Sequence, residues 1–502
     1  MTKENLKFLV RSGKQTLKGS PRKVLVLTTD NWNDYGHYVQ FHLAYIDHSG
    51  HEERIGTLKI LHRTNGDSEP IEVEKTTTLP SDEFPELDIS YISLGQDDEY
   101  YKSLYAIFDH EAGEILEALG DIAWRPALAA DYEPTSAFRN AMMRENGANR
   151  SRRFGRAWVL GEEVTENPSF SYSCTIDGAE APIDVNIAFS GKDALPGRVV
   201  GIIGKNAVGK TRFMAKLGED LAQISRTSAE RLEEREKRFP SSRPLFTRII
   251  AISYSAFDHF KRPKQDASSS YVYCGIRNEK GGLSSNSLII AYKKNLSRIK
   301  DRGFQHYWEQ YMKTILGDSA EKLAINLEEE IELQNSDENE GAISLLSSGQ
   351  SILCHFVTAL LAWIQPNSII LFDEPETHLH PNAVASLFVV LSKILRNNDS
   401  YAIIATHSPV VIQEIPAKRV IVFQRTENLT TAETLTLESF GESISELTRH
   451  VFGTIEVENL YRTTLSDLAE YETAEQVMKR FDRGLSLSAQ AYLLAQYSKS
   501  IN

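Results

Sequence analysis

The stretch Arg198-Val-Val-Gly-Ile-Ile203-Gly204-Lys-Asn-Ala-Val-Gly209-Lys210-Thr211 decides the fold. Its first half is an apolar run of strand length, and its second half matches G-x-x-x-x-G-K-[ST] without a gap. Phe213, Met214, Leu217 and Leu221 then recur at helical spacing. Strand, glycine-rich turn and helix in that order predict a phosphate-binding loop. Glycines let the backbone curl until consecutive N–H groups face one cluster of anionic oxygens, and the helix N-terminus adds about half a positive charge. The loop runs through Gly204, Lys205, Asn206, Ala207, Val208, Gly209, Lys210, Thr211 and Arg212. Lys210 is expected to reach the β- and γ-phosphates, and the Thr211 hydroxyl to ligate Mg2+.

Further along, Ile369-Ile-Leu-Phe-Asp373-Glu374 is a second apolar run, and it ends in two carboxylates. A strand this apolar belongs in the middle of a sheet, buried on both faces. Adjacent acids at its carboxyl end are costly there unless they face a metal, water or a polar crevice. Asp373 is therefore expected at the Mg2+, and Glu374 is expected to polarise the attacking water. A third block, Leu346-Ser347-Ser348-Gly349-Gln350, precedes a helix expected over 351–364. Serines and a glycine there read as an N-cap, and the same geometry offers a second anion site. The strands 247–254, 368–372 and 401–405, with a helix over 383–395 between the last two, predict an α/β fold with a mixed or parallel sheet flanked by helices.

The whole chain has 502 residues, a formal net charge of −14 and a pI near 5.5. That balance excludes a broadly basic surface, so any nucleic-acid contact needs a local patch. The candidates are Lys293, Lys294, Arg298, Lys300 and Arg302, and the arginines within 150–156. Three widely spaced cysteines, Cys174, Cys274 and Cys354, offer neither a disulfide framework nor a zinc site. No apolar run reaches membrane-spanning length and the N-terminus is no signal peptide, so a cytoplasmic protein without membrane contact is expected.

Three domains are predicted. Residues 1–160 form an α+β lobe with strands between 23 and 63, a helix over 97–123 and an irregular basic junction over 125–160. Residues 161–430 form the nucleotide domain, with a helical and then acidic insert at about 260–340. Within it, 227–243 reads as a solvated helix end and loop. Residues 431–502 form a helical tail, a packing or partner-binding element; amphipathic helices are expected from Phe440 onward.

These blocks, in this order, resemble the ATP-binding-cassette (ABC) ATPases, with LSSGQ in the place of that family's signature. Pro375-Glu-Thr-His378-Leu-His380-Pro381 looks like the D-loop of the SMC/OLD branch, and Thr406-His407-Ser408-Pro409 like its switch-histidine loop. The spacing of His378 and His380 suits no zinc site. The resemblance implies an ATPase that hydrolyses ATP with Mg2+, His407 contacting the γ-phosphate, and no nuclease site of its own. It also implies that two copies meet head to tail, so that ATP bridges Lys210 of one and Ser347 of the other. One motif departs from the family. Its Gln after the strand over 247–254 is absent, leaving Ser255 and Asp258 as replacements, and Phe170 and Tyr172 are the candidate adenine-stacking rings.

A transporter is excluded for want of a membrane span, and a chromosome-type SMC rod because 211–346 is too short for its arms. The arrangement, with Tyr271-Val-Tyr-Cys-Gly-Ile-Arg277 at its centre, looks like the ATPase subunit of the Septu and retron-associated anti-phage systems. That subgroup implies an HNH nuclease partner and, in retron versions, a reverse transcriptase with its DNA–RNA product (msDNA). The alternative expectation is a DNA-repair or recombination ATPase of the SMC/OLD-like class that remodels DNA by repeated turnover.

Overall fold

The computed structural model describes residues 7–13, 21–64, 71–164, 166–193, 195–255, 258–263, 269–277, 282, 285–317, 330–331, 346–377, 379–452 and 460–499. The acidic stretch of the insert, apart from Glu330, and His378 lie outside them.

Residues 1–442 form one unit and 443–502 another. The first contains two large sheets and a two-stranded one. The N-terminal sheet comprises β1 (Phe8–Ser12), β2 (Val24–Thr29), β3 (Gln40–Ile46), β4 (Glu52–His62), β5 (Glu83–Phe84) and β6 (Tyr91–Gly95), in the order β5-β1-β2-β3-β4-β6. Against it pack α1 (Asp98–Phe108), α2 (Ala112–Ala118) and α3 (Asn146–Val159) around a core that includes Leu43, Leu58, Tyr101, Leu104 and Leu116. Asp97 caps α1 through the Tyr100 amide, and the single helix expected over 97–123 is broken by a 3-10 turn at Asp109–Glu111. The stretch expected to be an irregular junction is largely α3. Its arginines are engaged: Arg150 pairs with Glu166 and Arg152 with Glu133, while Arg156 lies over the Trp124 ring at 5.1 Å.

Asn146, at the start of α3, ties this lobe to the nucleotide domain. It is 2% exposed; its amide donates to Leu221 O and Phe246 O, and its carbonyl accepts from Arg243. Every polar atom of that side chain has a partner, which a buried Asn needs.

The second sheet is built from β9 (Val199–Ile203), β10 (Arg248–Ser253), β11 (Tyr271–Gly275), β12 (Ser368–Asp373), β13 (Tyr401–Thr406), β14 (Val420–Thr426) and β15 (Leu429–Thr434), in the order β11-β10-β12-β13-β9-β14-β15. All neighbours are parallel except β14 and β15. A separate antiparallel pair, β7 (Phe170–Cys174) and β8 (Ile183–Ile187), packs into the same core. The stretch after 424 is thus not yet the helical tail: β15 closes the sheet edge, and the second unit starts at Ser443.

Helices α4 (Lys210–Leu221), α5 (Ala229–Lys237), α6 (Ser285–Asp301), α7 (Gln305–Leu316), α8 (Ser348–Trp363) and α9 (Pro381–Asn397) complete the domain. The segment after α5 is not solvated loop: Phe239 is 3% exposed, and Arg238 pairs with Asp220 at 2.7 Å. Arg298 near the end of α6 and Arg302 just past it donate to the carbonyls of Leu361, Ala362 and Ile364, so they cap the C-terminus of α8. The second unit consists of Ile444–Phe452, Leu460–Tyr471, Ala474–Lys479 and Leu487–Lys499, with a small core of Leu465, Val477, Ala489 and Leu493. Among the described residues no helix is long and apolar enough to cross a membrane.

Candidate nucleotide site

Strand β9 is buried along its length and delivers the chain to Gly204, whose added Cβ would stand 2.4 Å from Phe423 O. No side chain fits there. Ala207 and Gly209 then take left-handed backbones, φ 67° and 99°, before α4 begins at Lys210. Left-handed residues in such a loop are what allow successive amides to converge on an anion. Lys210 is 5% exposed, and its Nζ donates to Gly204 O (2.8 Å) and Lys205 O (3.1 Å). Burial lowers its pKa, while Glu374, Asp373 and Glu376 oppose that shift.

Thr211 Oγ1 donates to the Asp373 carboxylate, 3.0 Å from each oxygen. Asp373 ends β12, is 1% exposed, and is pushed up to about 7 by burial. A hydroxyl beside a buried carboxylate is an all-oxygen, hard donor set that fits Mg2+, and a cation there would offset the cost of the buried charge. Glu374 sits at φ 49°, a backbone few non-glycine residues adopt, fixed by its N–H donating to Ala405 O at 2.8 Å. The strained turn aims its side chain along the carboxyl ends of the strands. His407 Nδ1 lies 3.1 Å from Glu374 Oε1 and 3.4 Å from Glu376 Oε1.

Glu376 was not singled out by the sequence. Its Oε1 accepts from the Thr406 hydroxyl (2.5 Å) and from the His407 N–H (3.2 Å), tying the loop after β12 to the loop after β13. Burial raises its pKa.

A cavity of about 360 Å³ lies over the loop. Its lining includes Asn206, Lys210, Thr211, Arg212, Asp373 and Glu374, and adds Ile176 and Arg425 from neighbouring loops. Of the two residues offered for the absent Gln, Ser255 lines it and Asp258 does not. Asp258 is buried and held by Arg262, Tyr273 and the Phe260 amide. Phe170 and Tyr172 are not available for adenine. Neither lines the cavity; both pack in the core, and the Tyr172 hydroxyl donates to Asp220.

The signature lies in the first turn of α8, which starts at Ser348 and not at 351. Ser347 is the N-cap; its hydroxyl accepts from the Gln350 amide, and Gln350 Oε1 accepts in return from the Ser347 N–H. The described residues lining the phosphate cavity include none of Ser347, Gly349 and Gln350. His380 caps α9 through the Asn382 amide, and among the described residues no cluster of three His, Cys, Asp or Glu side chains is placed to hold a metal.

The protein family described as "AAA domain, putative AbiEii toxin, Type IV TA system" matches residues 213–413. Protein ea59 of Escherichia phage lambda is 28% identical over 93% of this chain and 94% of its own length. Among solved structures, an archaeal ribosome recycling factor in complex with a ribosomal stalk protein is 18% identical, with a TM-score of 0.30. That match covers 54% of this chain and 40% of that chain, so it spans two-fifths of the recycling factor. An SMC head domain from Thermotoga maritima is 11% identical over 53% of this chain and 98% of that chain, with a TM-score of 0.29.

Proposed function

We propose that the chain is a P-loop ATPase of the AAA/ABC type, acting as an ATP-gated switch in which two copies clasp ATP between them. The observation that carries the reading is the separation of the two half-sites. The phosphate cavity gathers Lys210, Thr211, Asp373 and Glu374, while the Ser347 hydroxyl and the start of α8 lie outside its lining. A second chain presenting Ser347 over the cavity of the first would close it, and the symmetric partner site would close at the same time.

Within each site the loop amides and Lys210 bind and orient the triphosphate. Thr211 and Asp373 are the residues that would hold Mg2+, which supplies charge neutralisation at the phosphate oxygens. Glu374 polarises the attacking water, and His407, fixed beside it, steers that water toward the γ-phosphate. Hydrolysis removes the shared ligand and the copies part. A phosphate-sized chemical event thereby exposes or covers a surface.

The output we assign to the switch is control of a nuclease effector in anti-phage defence, an HNH enzyme with or without a reverse transcriptase and its DNA–RNA product. The motif order and a phage-borne relative support it. Glu374→Gln should bind ATP yet hydrolyse it slowly, doubling the particle mass in light scattering when Mg2+ and ATP are added. Adding Ser347→Arg should abolish the doubling. A mass that does not change, or a turnover per chain that is independent of protein concentration, would remove the two-copy site. Strong stimulation of turnover by DNA alone would instead favour a DNA-remodelling ATPase.

A further inference from the structure

The segment Tyr271–Arg277, which the ATP site does not use, forms one wall of a second and larger cavity of about 540 Å³. The edge strand β11 and the residues after it contribute Tyr273, Ile276 and Arg277. Helix α6 contributes Tyr292, Lys294 and Asn295, and α8 contributes His355, Ala359 and Trp363. The last three recur every four residues, so they share one face of the helix whose N-cap is Ser347.

The lining chemistry is selective. Three cations, Arg262, Arg277 and Lys294, meet five rings, Tyr254, Tyr273, Tyr292, His355 and Trp363. Among the described residues no carboxylate lines this cavity, whereas Asp177, Asp373 and Glu374 line the phosphate cavity. Arg262 stacks 4.9 Å from the Tyr273 centroid while its Nη2 pairs with Asp258 at 2.5 Å, which fixes the guanidinium in the wall. Burial keeps the His355 imidazole neutral down to about 4, so at neutral pH that ring offers a flat face and a hydrogen bond without a charge. Rings with interleaved cations are the surface on which nucleobases stack and phosphates pair. The volume falls within the range of small-molecule sites.

We infer that this cavity, distinct from the phosphate loop, binds a nucleoside phosphate, its base against the ring-lined wall and its phosphate toward Arg277 and Lys294. The ligand would rest on α8, so it and the signature serine share one rigid element. The same chemistry is offered by a free mononucleotide and by the terminal nucleotide of a strand.

The test uses the full chain carrying Lys210→Ala, so that the phosphate loop no longer competes. AMP, GMP, CMP, UMP and a 5′-phosphorylated single-stranded hexanucleotide are titrated by calorimetry. At least one probe should bind, and Lys294→Glu and Ala291→Trp, which respectively reverse a charge and narrow the mouth, should each weaken it at least tenfold. Those two changes, made without Lys210→Ala, should leave ATP binding within twofold of the parent. Tighter binding of the hexanucleotide assigns a strand end; tighter binding of a mononucleotide assigns a free ligand. The proposal is overturned if no probe binds below millimolar concentration, or if neither cavity variant weakens binding. Absence of ATP binding by the parent protein would sink the ATP reading without touching this one.

Discussion

Replacing Glu376 separates positioning from folding at this site. Its side chain is 11% exposed, its Oε1 holds Thr406 and His407, and its Oε2 is buried with no partner among the described residues. Two effects on stability oppose each other. Removing the carboxylate forfeits two hydrogen bonds to a charged acceptor, worth roughly 1.5–3 kcal/mol each. It also removes a buried charge whose desolvation costs about several kcal/mol. The balance predicts that Glu376→Ala shifts stability by no more than about 2 kcal/mol in either direction. Catalysis has no such compensation. With Thr406 and the His407 backbone released, the imidazole beside Glu374 loses its anchor, and a misplacement of about 1 Å can cost on the order of a hundredfold in rate. The expected result is a kcat lowered about 30- to 100-fold, with KM for ATP within about threefold because Lys210 and Thr211 are untouched. Glu376→Gln keeps a carbonyl oxygen in the same place and should recover turnover to within about fivefold of the parent. Phosphate release, ATP binding and thermal unfolding, measured on all three proteins, decide the matter. Unchanged turnover in the Ala variant refutes the positioning role. A Gln variant as slow as the Ala variant would show that the charge matters and the anchoring does not.

Three other outcomes follow from the same geometry. Lys210→Ala should weaken ATP binding by about 3 kcal/mol, roughly a hundredfold, in equilibrium dialysis, because it removes the one ammonium held at the loop. In the N-terminal lobe, burial pushes Asp121 up to about 6, although the Tyr101 hydroxyl and the Ala123 amide donate to it. The folded state therefore holds that proton more tightly than the unfolded chain, so this contribution is fullest below about pH 4 and falls by up to about 3 kcal/mol as pH rises to about 6. Asp121→Asn should gain on the parent by that increment across the same window in denaturant unfolding. Arg302→Ala uncaps the end of α8 and should destabilise the protein by about 2–3 kcal/mol in the same assay, with DNA affinity in a filter-binding measurement unchanged.

The chemistry-bearing loops were legible because their function constrains residue type locally. No Cβ fits at Gly204 and Gly209 takes φ 99°, so the loop's shape dictates both glycines, and Asp373 stands out as an acid ending an apolar run. What escaped was set by contacts distant in sequence. Helix α3 looked irregular because it carries Gly155 among arginines, both poor signals for an amphipathic helix. Packing explains the glycine: a Cβ there would meet the Tyr101 ring at 2.8 Å and Ala123 at 2.9 Å. Arg298 and Arg302 read as a basic face because nothing local shows that the end of α8 lies beside them. The strands β7 and β15 do carry a local signal. In FSYSC, Phe170, Tyr172 and Cys174 alternate with serines, the period of a strand with one buried face, so both rings were committed to the core and not to adenine. The threonine-rich run Leu429–Thr434 likewise carried strand propensity.

The site is held together by charges and backbone conformations that are each unfavourable alone. Asp373 is a carboxylate in a nearly dry place, Lys210 is an ammonium whose hydrogen bonds in the structure go to carbonyls, and Glu374 and Ala207 occupy left-handed backbone that costs roughly 1–2 kcal/mol apiece. Four such costs on adjoining loops do not persist for stability, because replacing any of them with an ordinary turn would make the fold more stable. On the proposed reading, a triphosphate and a divalent cation would supply the charges opposite to Lys210 and Asp373. The same crevice draws its remaining polar contacts from loops after β12 and β13, joined by Glu376, so a shift at the γ-phosphate reaches both loops at once. A static binding pocket would not need that linkage. A switch whose closed state depends on the presence of the γ-phosphate does, and the linkage is the structural reason for reading hydrolysis here as release.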